Sequence, residues 1–160
     1  MSRITVPKGG CGITGREASE IEAQSLGATV AICISDPVTS ISAMAVPLLP
    51  SVNGIDTSRL SPACIDVASS LKKVFQDIKA AGADRKNLLI WLVGAGRFME
   101  EPKELSLGVH LYAAAKKLLQ KNGLPVRAEH VGGSFDRSVV LEAGAESLSV
   151  ILSTGQEVSI

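Results

Sequence analysis

The alternation of apolar and polar residues along the chain predicts both strands and helices. The main strand-like feature is the apolar run within residues 24–37, which has Gly27 near its start and an Asp-Pro pair at its end. A second apolar run covers residues 41–46 and ends at a proline. Short apolar runs bounded by Gly, Pro or Asp are typical of buried strands. Together the two runs predict a hairpin with residues 37–40 at its tip.

Two longer stretches show helical spacing. The Ser-Pro pair at 61–62 predicts the start of a first helix, which continues to about Ala81 and ends at Gly82. A second helix is predicted from Ser106 to Lys121, where Asn-Gly follows. Each helix has one apolar side, which should pack on the sheet. For the first helix that side contains Cys64, Ala68, Leu71, Phe75 and Ile78.

Further strands complete the predicted fold. They are expected at residues 88–93, 126–131, 138–141 and 148–152, while the Gly-rich residues 1–19 predict an irregular segment or a short edge strand. The pattern therefore predicts an α/β fold of α+β character. It is a single domain, residues 1–160, with a mixed sheet and two long helices packed on it.

Composition and charge argue against several classes of partner and cofactor. The chain has 160 residues, of which 46% are hydrophobic, and equal numbers of basic and acidic residues, 16 each. A neutral chain predicts no nucleic-acid partner and no attraction to an anionic membrane. No apolar run approaches the roughly 20 residues that a spanning helix needs. Three separated cysteines and two histidines lack metal-ligand spacing, so we expect no metal, no cofactor and a cytoplasmic location.

One glycine-containing segment could be mistaken for a dinucleotide-binding loop. Gly94-Ala95-Gly96-Arg97 follows a predicted strand, but position 99, where a third Gly would be required, is Met. The next predicted helix also begins several residues too late. A structural turn is therefore the better interpretation of this segment.

The first hairpin carries motifs of a known family. The pattern Leu-Gly-x-x-Val-Ala-x-Cys-x-x-Asp-Pro begins at Leu26, and Ala-Met-Ala at 43–45 and Leu-Leu-Pro at 48–50 follow it. These motifs closely resemble the chemoreceptor glutamine deamidase family, CheD. The resemblance implies a CheD-like fold and a role in bacterial or archaeal chemotaxis.

The C-terminal region extends the resemblance as far as about residue 152. Ala-Glu-His-Val-Gly-Gly at 128–133, followed by Arg137 and Val139, is similar to the family pattern Ala-Glu-Asp-x-Gly-Gly-x-x-x-Arg-x-Val. His130 occupies the position of the family's Asp. The Gly94 turn is similar to a Gly-Gly-Ala-x-x-Phe turn of the family, which the resemblance places next to the site.

The resemblance also implies which residues should carry the chemistry. Deamidation of glutamine is acyl transfer to water, which needs a nucleophile, a base and an oxyanion donor. The family's catalytic Cys corresponds to Thr29, its His to Val46 and its nearby hydroxyl residue to Ala23. A threonine hydroxyl without an adjacent base is a weak nucleophile, so Thr29 is interpreted as a β-branched strand residue. The sequence therefore predicts a degenerate deamidase site.

The sequence is compatible with three functions. The first is a protein-binding regulator, with a helical chemoreceptor signalling domain or a CheC-type phosphatase as the partner that the resemblance implies. The second is an active protein-glutamine deamidase with a displaced nucleophile, for which Cys11, Cys33 and Cys64 are the thiols present. The third is reuse of the fold outside chemotaxis.

A site without its ionisable residues is expected to have closed by packing. Val46 should be buried, and no deep polar cleft should remain beside Thr29. The walls of the former pocket are predicted to be Leu26, Ile34, Met44 and Leu48. Function should then lie on the outer surface, around the turn at 94–97 and the loop at Glu100-Glu101, whose acids, like Asp36, are expected to be solvated.

Overall fold

Ten strands, two α-helices and one short 3₁₀ helix, Arg85–Asn87, are present in the part of the chain that the computed structural model describes, residues 2–15, 18–51, 64–97 and 106–160. The α-helices are α1, Val67–Ala80, and α2, Leu107–Lys121. The strands are β1 Ser2–Thr5, β2 Cys11–Ile13, β3 Ala18–Ala23, β4 Val30–Asp36, β5 Ile41–Ala45, β6 Leu89–Gly94, β7 Ala128–Val131, β8 Arg137–Glu142, β9 Ser149–Leu152 and β10 Glu157–Ser159.

The strands form two five-stranded sheets. The outer sheet has the order β1-β3-β8-β9-β10, and the central sheet has the order β2-β5-β4-β6-β7. Both are mixed, because β1 pairs with β3 and β6 with β7 in parallel while the other pairs are antiparallel. The predicted fold class, a single domain with mixed strands and two helices, is confirmed. The strands divide between two sheets, however, where the sequence pattern suggested one.

Strand β4 explains this layered arrangement. All seven of its residues are buried, so both of its faces must be covered. Val30, Ile32 and Ile34 pack with apolar residues of α1 and α2. Ala31 and Cys33 pack with residues of the outer sheet in a second cluster, which we call the inter-sheet core. The molecule thus has three layers: the outer sheet, the central sheet and the helices.

The hairpin of β4 and β5 has the predicted form, but Asp36 differs from expectation. Its carboxylate is buried and accepts hydrogen bonds from the N–H groups of Val38 (2.9 Å), Thr39 (3.3 Å) and Asp84 (3.0 Å). Burial alone would raise the pKa of Asp36, but these backbone hydrogen bonds outweigh it and lower the pKa below its ordinary value. The prediction that Asp36 is solvated was wrong, since Asp36 joins the hairpin tip to the connection after α1.

The start of α1 also differs from expectation. Ser61 lies outside the described residues, and residues 64–66 are not helical. The helix begins after Asp66, whose side chain accepts a hydrogen bond from the Ser69 N–H at 3.1 Å in a capping box. Cys64 is buried as predicted, but it precedes the helix and does not lie in its first turn.

Candidate functional site

Thr29, the position that the resemblance assigns to the nucleophile, closes a tight turn at the entrance to β4. Its N–H and its Oγ1 hydroxyl both donate to the carbonyl oxygen of Leu26, at 2.9 Å and 2.5 Å. Gly27, within the turn, has a φ of +57°, which favours glycine. Thr29 is only 5% exposed. The hydroxyl proton is therefore held by a backbone carbonyl, and the side chain does not lie open to solvent.

Val46 and Ala23, the other two positions implied by the resemblance, are both 1% exposed. Each belongs to the inter-sheet core, Val46 after β5 and Ala23 at the end of β3. Val46 is buried as predicted. Its backbone bonds to the segment before β2, because its N–H donates to Gly10 and its carbonyl accepts from Gly9.

The predicted walls of the closed pocket are only partly correct. Leu26 and Met44 lie in the inter-sheet core with Val46. Ile34 packs instead against the helices on the opposite face of the central sheet. Leu48 is half-buried. Ile34 directly follows Cys33, whose side chain lies in the inter-sheet core. Because neighbouring residues of a strand point to opposite faces, Ile34 must point away from that core.

The turn after β6 fits closely against the Thr29 turn. The N–H of Ala95 donates to Thr29 and that of Gly96 to Gly27, both at 2.9 Å. Gly94 has a φ of +125°, and a Cβ there would lie 2.2 Å from the Thr29 carbonyl oxygen. Gly108, at the start of α2, packs on Ala95 so closely that a Cβ would lie 2.9 Å from its backbone. At both positions the lack of a side chain allows two backbone segments to pack closely together.

A buried arginine lies in the adjoining loop. Arg137 is 2% exposed, and its Nη1 donates to Nδ1 (2.8 Å) and to the backbone carbonyl (2.9 Å) of His130. Its Nη2 donates to the carbonyl of Gly132, and its Cζ lies 4.4 Å from the centre of the Phe135 ring. Burial lowers the pKa of Arg137, and the Asp136 charge opposes this shift. Burial, and then the Arg137 charge, lower the pKa of His130.

Three hydrogen bonds attach this loop to the Thr29 region. Arg97 donates its N–H to Gly133 (2.8 Å), Gly132 donates to Gly94 (2.9 Å), and Gly27 donates to Oδ1 of Asp136 (2.8 Å). Arg97 and residues 133–135 are exposed side by side over the buried residues 94–96. We call residues 94–97 and 132–136 together the turn surface. Arg97 is exposed there, and Phe135 is 36% exposed although it is aromatic. The predicted Glu100-Glu101 part of this surface lies outside the described residues.

Of the three thiols, two are unsuited to nucleophilic chemistry. Cys33 is completely buried in the inter-sheet core, and burial raises its pKa well above the ordinary value. Burial, followed by the neighbouring Cys11 thiol, raises the pKa of Cys64 to about 12. Both thiols are therefore protonated at neutral pH. Cys11 is half-buried in β2.

Neither a metal site nor a membrane-spanning helix is found in the described part of the chain. No three His, Cys, Asp or Glu side chains are grouped as a metal site requires within the described ranges. No helix in those ranges is both long enough and apolar enough to cross a membrane.

Comparison with known protein families identifies the class to which this chain belongs. The family model described as CheD chemotactic sensory transduction matches residues 48–151. This chain belongs to the CheD family, and the resemblance drawn from its motifs is confirmed.

Curated relatives of this chain are also named as CheD proteins. The chain is 33% identical over 114 residues to the chemoreceptor glutamine deamidase CheD of Thermotoga maritima, covering 71% of this chain and 69% of the relative. It is 27% identical over 149 residues to a probable chemoreceptor glutamine deamidase CheD of Solibacter usitatus, covering 92% and 88%. A solved structure of a Neisseria meningitidis protein aligns with a TM-score of 0.44 and 9% identity over 82% of this chain and 63% of its own.

Proposed function

We propose that this CheD-family protein is a cytoplasmic, protein-binding regulator of chemotaxis whose deamidase site no longer works. The observation that carries the proposal is the state of Thr29. Its hydroxyl is buried and donates to the Leu26 carbonyl. A deamidase nucleophile must instead face the substrate and give its proton to a base.

The surroundings of Thr29 support the loss of activity. Val46, at the position that the resemblance gives to the base, has no group that accepts a proton and lies in the apolar inter-sheet core. Ala23 offers no hydroxyl there either. Cys33 and Cys64 are buried thiols with raised pKa values, so neither is a ready replacement.

Binding is assigned to the turn surface. Phe135 is held in place by the Arg137 guanidinium on its face, and Arg97 is exposed nearby. Aromatic and arginine side chains contribute strongly to protein–protein hot spots. Because the curated relatives are named as chemoreceptor glutamine deamidases, the proposed partner is a helical chemoreceptor signalling domain. A CheC-type phosphatase is the second partner to be tested.

The first experiment separates binding from catalysis. The protein is incubated with a purified chemoreceptor signalling domain, and ammonia release and the mass change from Gln to Glu are followed. The Thermotoga maritima relative serves as the active control. We expect no turnover by this protein. Turnover that disappears in Cys11→Ala, Cys33→Ala or Cys64→Ala would overturn the proposal and support an active deamidase with a displaced nucleophile.

The second experiment tests the surface. We expect the signalling domain or the phosphatase to bind, and Phe135→Ala to weaken that binding by about tenfold or more. Val38→Ala is the matched control, because Val38 is also an exposed apolar residue, 73% exposed, but lies at the hairpin tip. Equal effects of the two variants would refute the assignment to the turn surface. Failure of both partners to bind the unmodified protein would instead favour a role outside chemotaxis.

A further inference from the structure

A groove runs between α1 and α2 on the helical layer. Its volume is about 770 Å³. The floor is apolar and is formed by Leu71, Phe75, Ile78, Leu88, Leu118 and Leu124. Two residues that the sequence pattern assigned to the packed side of α1 remain accessible here, since Ala68 is exposed and Phe75 is only half-buried. The apolar side of α1 is thus wider than the sheet covers.

The rim of the groove is basic. Lys72, Lys79 and Arg85 line it, and each is exposed. Among the described residues that line the groove, Asp84 is the one carboxylate, and its side chain lies 3.6 Å from Nζ of Lys86. The cations of the rim therefore outnumber its carboxylate.

The whole helical layer shares this charge, although the chain as a whole is neutral. Residues 67–87 and 107–121 contain eight basic residues and two acidic ones, and α2 itself has no carboxylate. The basic residues are Lys72, Lys73, Lys79, Arg85, Lys86, Lys116, Lys117 and Lys121, and the acidic ones are Asp77 and Asp84. Lys73 pairs with Asp77, and Lys116 pairs with Glu129 of β7, both at 3.1 Å. The remaining basic residues still outnumber the acidic ones, so an acidic partner is attracted to this layer.

We propose that the groove binds an acidic amphipathic helix of a partner protein. The apolar stripe of the partner helix would lie on the groove floor. The carboxylates on either side of that stripe would contact Lys72, Lys79 and Arg85. From Ala68 to Lys79, α1 runs about 16 Å, which matches three turns of a bound helix. A nucleic acid would leave the largely aliphatic floor, five of whose six named residues are Leu or Ile, mostly unused. A bilayer would not follow a concave surface, so neither fits as well.

The groove is separate from the turn surface. Gly108, at the start of α2, contacts Ala95 of the turn surface, whereas Leu118 and Leu119 line the groove. The intervening helix is about 16 Å long at 1.5 Å per residue. The inference therefore goes beyond the proposed function, and a variant at Phe135 should leave this groove unaffected.

The test uses a designed probe. A fluorescein-labelled 18-residue peptide carries Leu at the i, i+3, i+4 and i+7 positions of a helix and Glu at the others. Its binding to the 160-residue chain is followed by anisotropy, beside a scrambled peptide of the same composition. We expect the patterned peptide to bind at least about tenfold more tightly than the scrambled one, and to bind less tightly as salt rises. Amide NMR shifts on binding should cluster in residues 68–88 and 118–124.

Charge reversal locates the site. The double variant Lys72→Glu and Lys79→Glu should weaken binding by about tenfold. The double variant Lys117→Glu and Lys121→Glu changes the net charge equally on residues that do not line the groove, so it is the matched control. Circular dichroism and thermal melting confirm that both variants are folded.

Several results would overturn the inference. Equal weakening by the two double variants would show that the charge acts without the groove. Equal binding of the two peptides would show that no apolar stripe is recognised. Tighter binding of anionic phosphatidylglycerol vesicles, or of a single-stranded oligonucleotide, would assign the basic layer to another class of partner. Loss of peptide binding in Phe135→Ala would move the site to the turn surface.

Discussion

Arg137 holds a buried positive charge whose hydrogen bonds are made to neutral acceptors. His130 and the carbonyl of Gly132 accept from it, and among the described residues no carboxylate forms an ion pair with it. Its Nε is buried without a hydrogen-bond partner. Asp136 acts on this charge without a hydrogen bond to it, and a buried charge that no carboxylate contacts directly is costly. In the pattern that the sequence resembles, an Asp stands where this chain has His130.

Restoring that carboxylate should stabilise the protein. Oδ1 of Asp and Nδ1 of His are both bonded to Cγ, so His130→Asp places an anionic acceptor near the present 2.8 Å contact with Arg137. We expect the free energy of unfolding at neutral pH to rise by about 1–2 kcal/mol. His130→Asn keeps an oxygen acceptor without the charge and should gain less in urea denaturation. A loss of stability in His130→Asp would contradict the account of Arg137.

His130 should also make stability depend on pH. Burial and the Arg137 charge lower its pKa below the ordinary value of 6.5, so the unfolded chain takes up a proton at a higher pH than the folded chain. The contribution of neutral His130 is therefore full above pH 6.5 and is lost as the pH falls through and below that value. Urea denaturation of the protein and of His130→Asn from about pH 8 to about pH 5 should show a steeper decline for the former. Parallel curves would disprove the role of His130.

At the scale of elements, the β4–β5 hairpin sets the spacing between Thr29 and Val46, the two positions that the resemblance assigns to nucleophile and base. Its register pairs Cys33 with Met44 and Ile32 with Ala45. The next pair along the same register is Ala31 with Val46. Thr29 precedes β4 by one residue, two before Ala31, so Thr29 and Val46 are expected to be diagonal neighbours. Such neighbours lie about 7–8 Å apart, within the reach of an imidazole.

The double variant Thr29→Cys and Val46→His tests this register. An imidazolium next to the new thiol should favour the thiolate, so it should alkylate faster at neutral pH than Cys33 does. Thr29→Cys alone is the control for exposure of the new thiol. We do not expect full deamidase activity, because Ala23 still lacks a hydroxyl. If the single and double variants react equally fast, the assignment of positions 29 and 46 as partners is wrong.

The turn after β6 offers a second test at this scale. Gly94→Ala would bring a Cβ to 2.2 Å from the Thr29 carbonyl oxygen at a φ of +125°. We expect a loss of at least about 2 kcal/mol in the free energy of unfolding, from strain and backbone displacement together. Gly155→Ala is the control, since its φ is +93° but nothing lies within 4 Å of the added Cβ. It should lose only about 1 kcal/mol. Similar losses would show that the close contact at Gly94 is unimportant.

The sequence predicted those elements whose signals are local. The β4–β5 hairpin, β6 and the bounds of α2 follow from apolar runs, Asp-Pro and Asn-Gly. The start of α1 differs from the prediction because the Asp66–Ser69 capping box, and not the Ser-Pro pair, begins the helix. The assignment of strands to two sheets depends on pairings such as β3 with β8, which join residues far apart along the chain. The burial of Asp36 likewise depends on a remote N–H, that of Asp84.

At the scale of the whole molecule, the two proposed binding sites, the turn surface and the groove, lie in different places. The Thr29 turn and the turn surface lie where the central sheet meets both the outer sheet and the start of α2. The groove lies farther along the helical layer. The inter-sheet core contains Val46 and Ala23, so solvent reaches these two side chains only if that core opens.

Labelling of Cys33 measures how firmly that core is closed. Cys33 is completely buried in the centre of the inter-sheet core. In a Cys11→Ala and Cys64→Ala background, its alkylation should require global unfolding. The opening free energy from labelling should then equal the free energy of unfolding from urea denaturation, and both should fall with urea at the same slope. A clearly smaller opening free energy would mean that the two sheets separate locally. Thr29 and Val46 would then be reached by solvent in the folded protein, and an active site that opens transiently would have to be reconsidered.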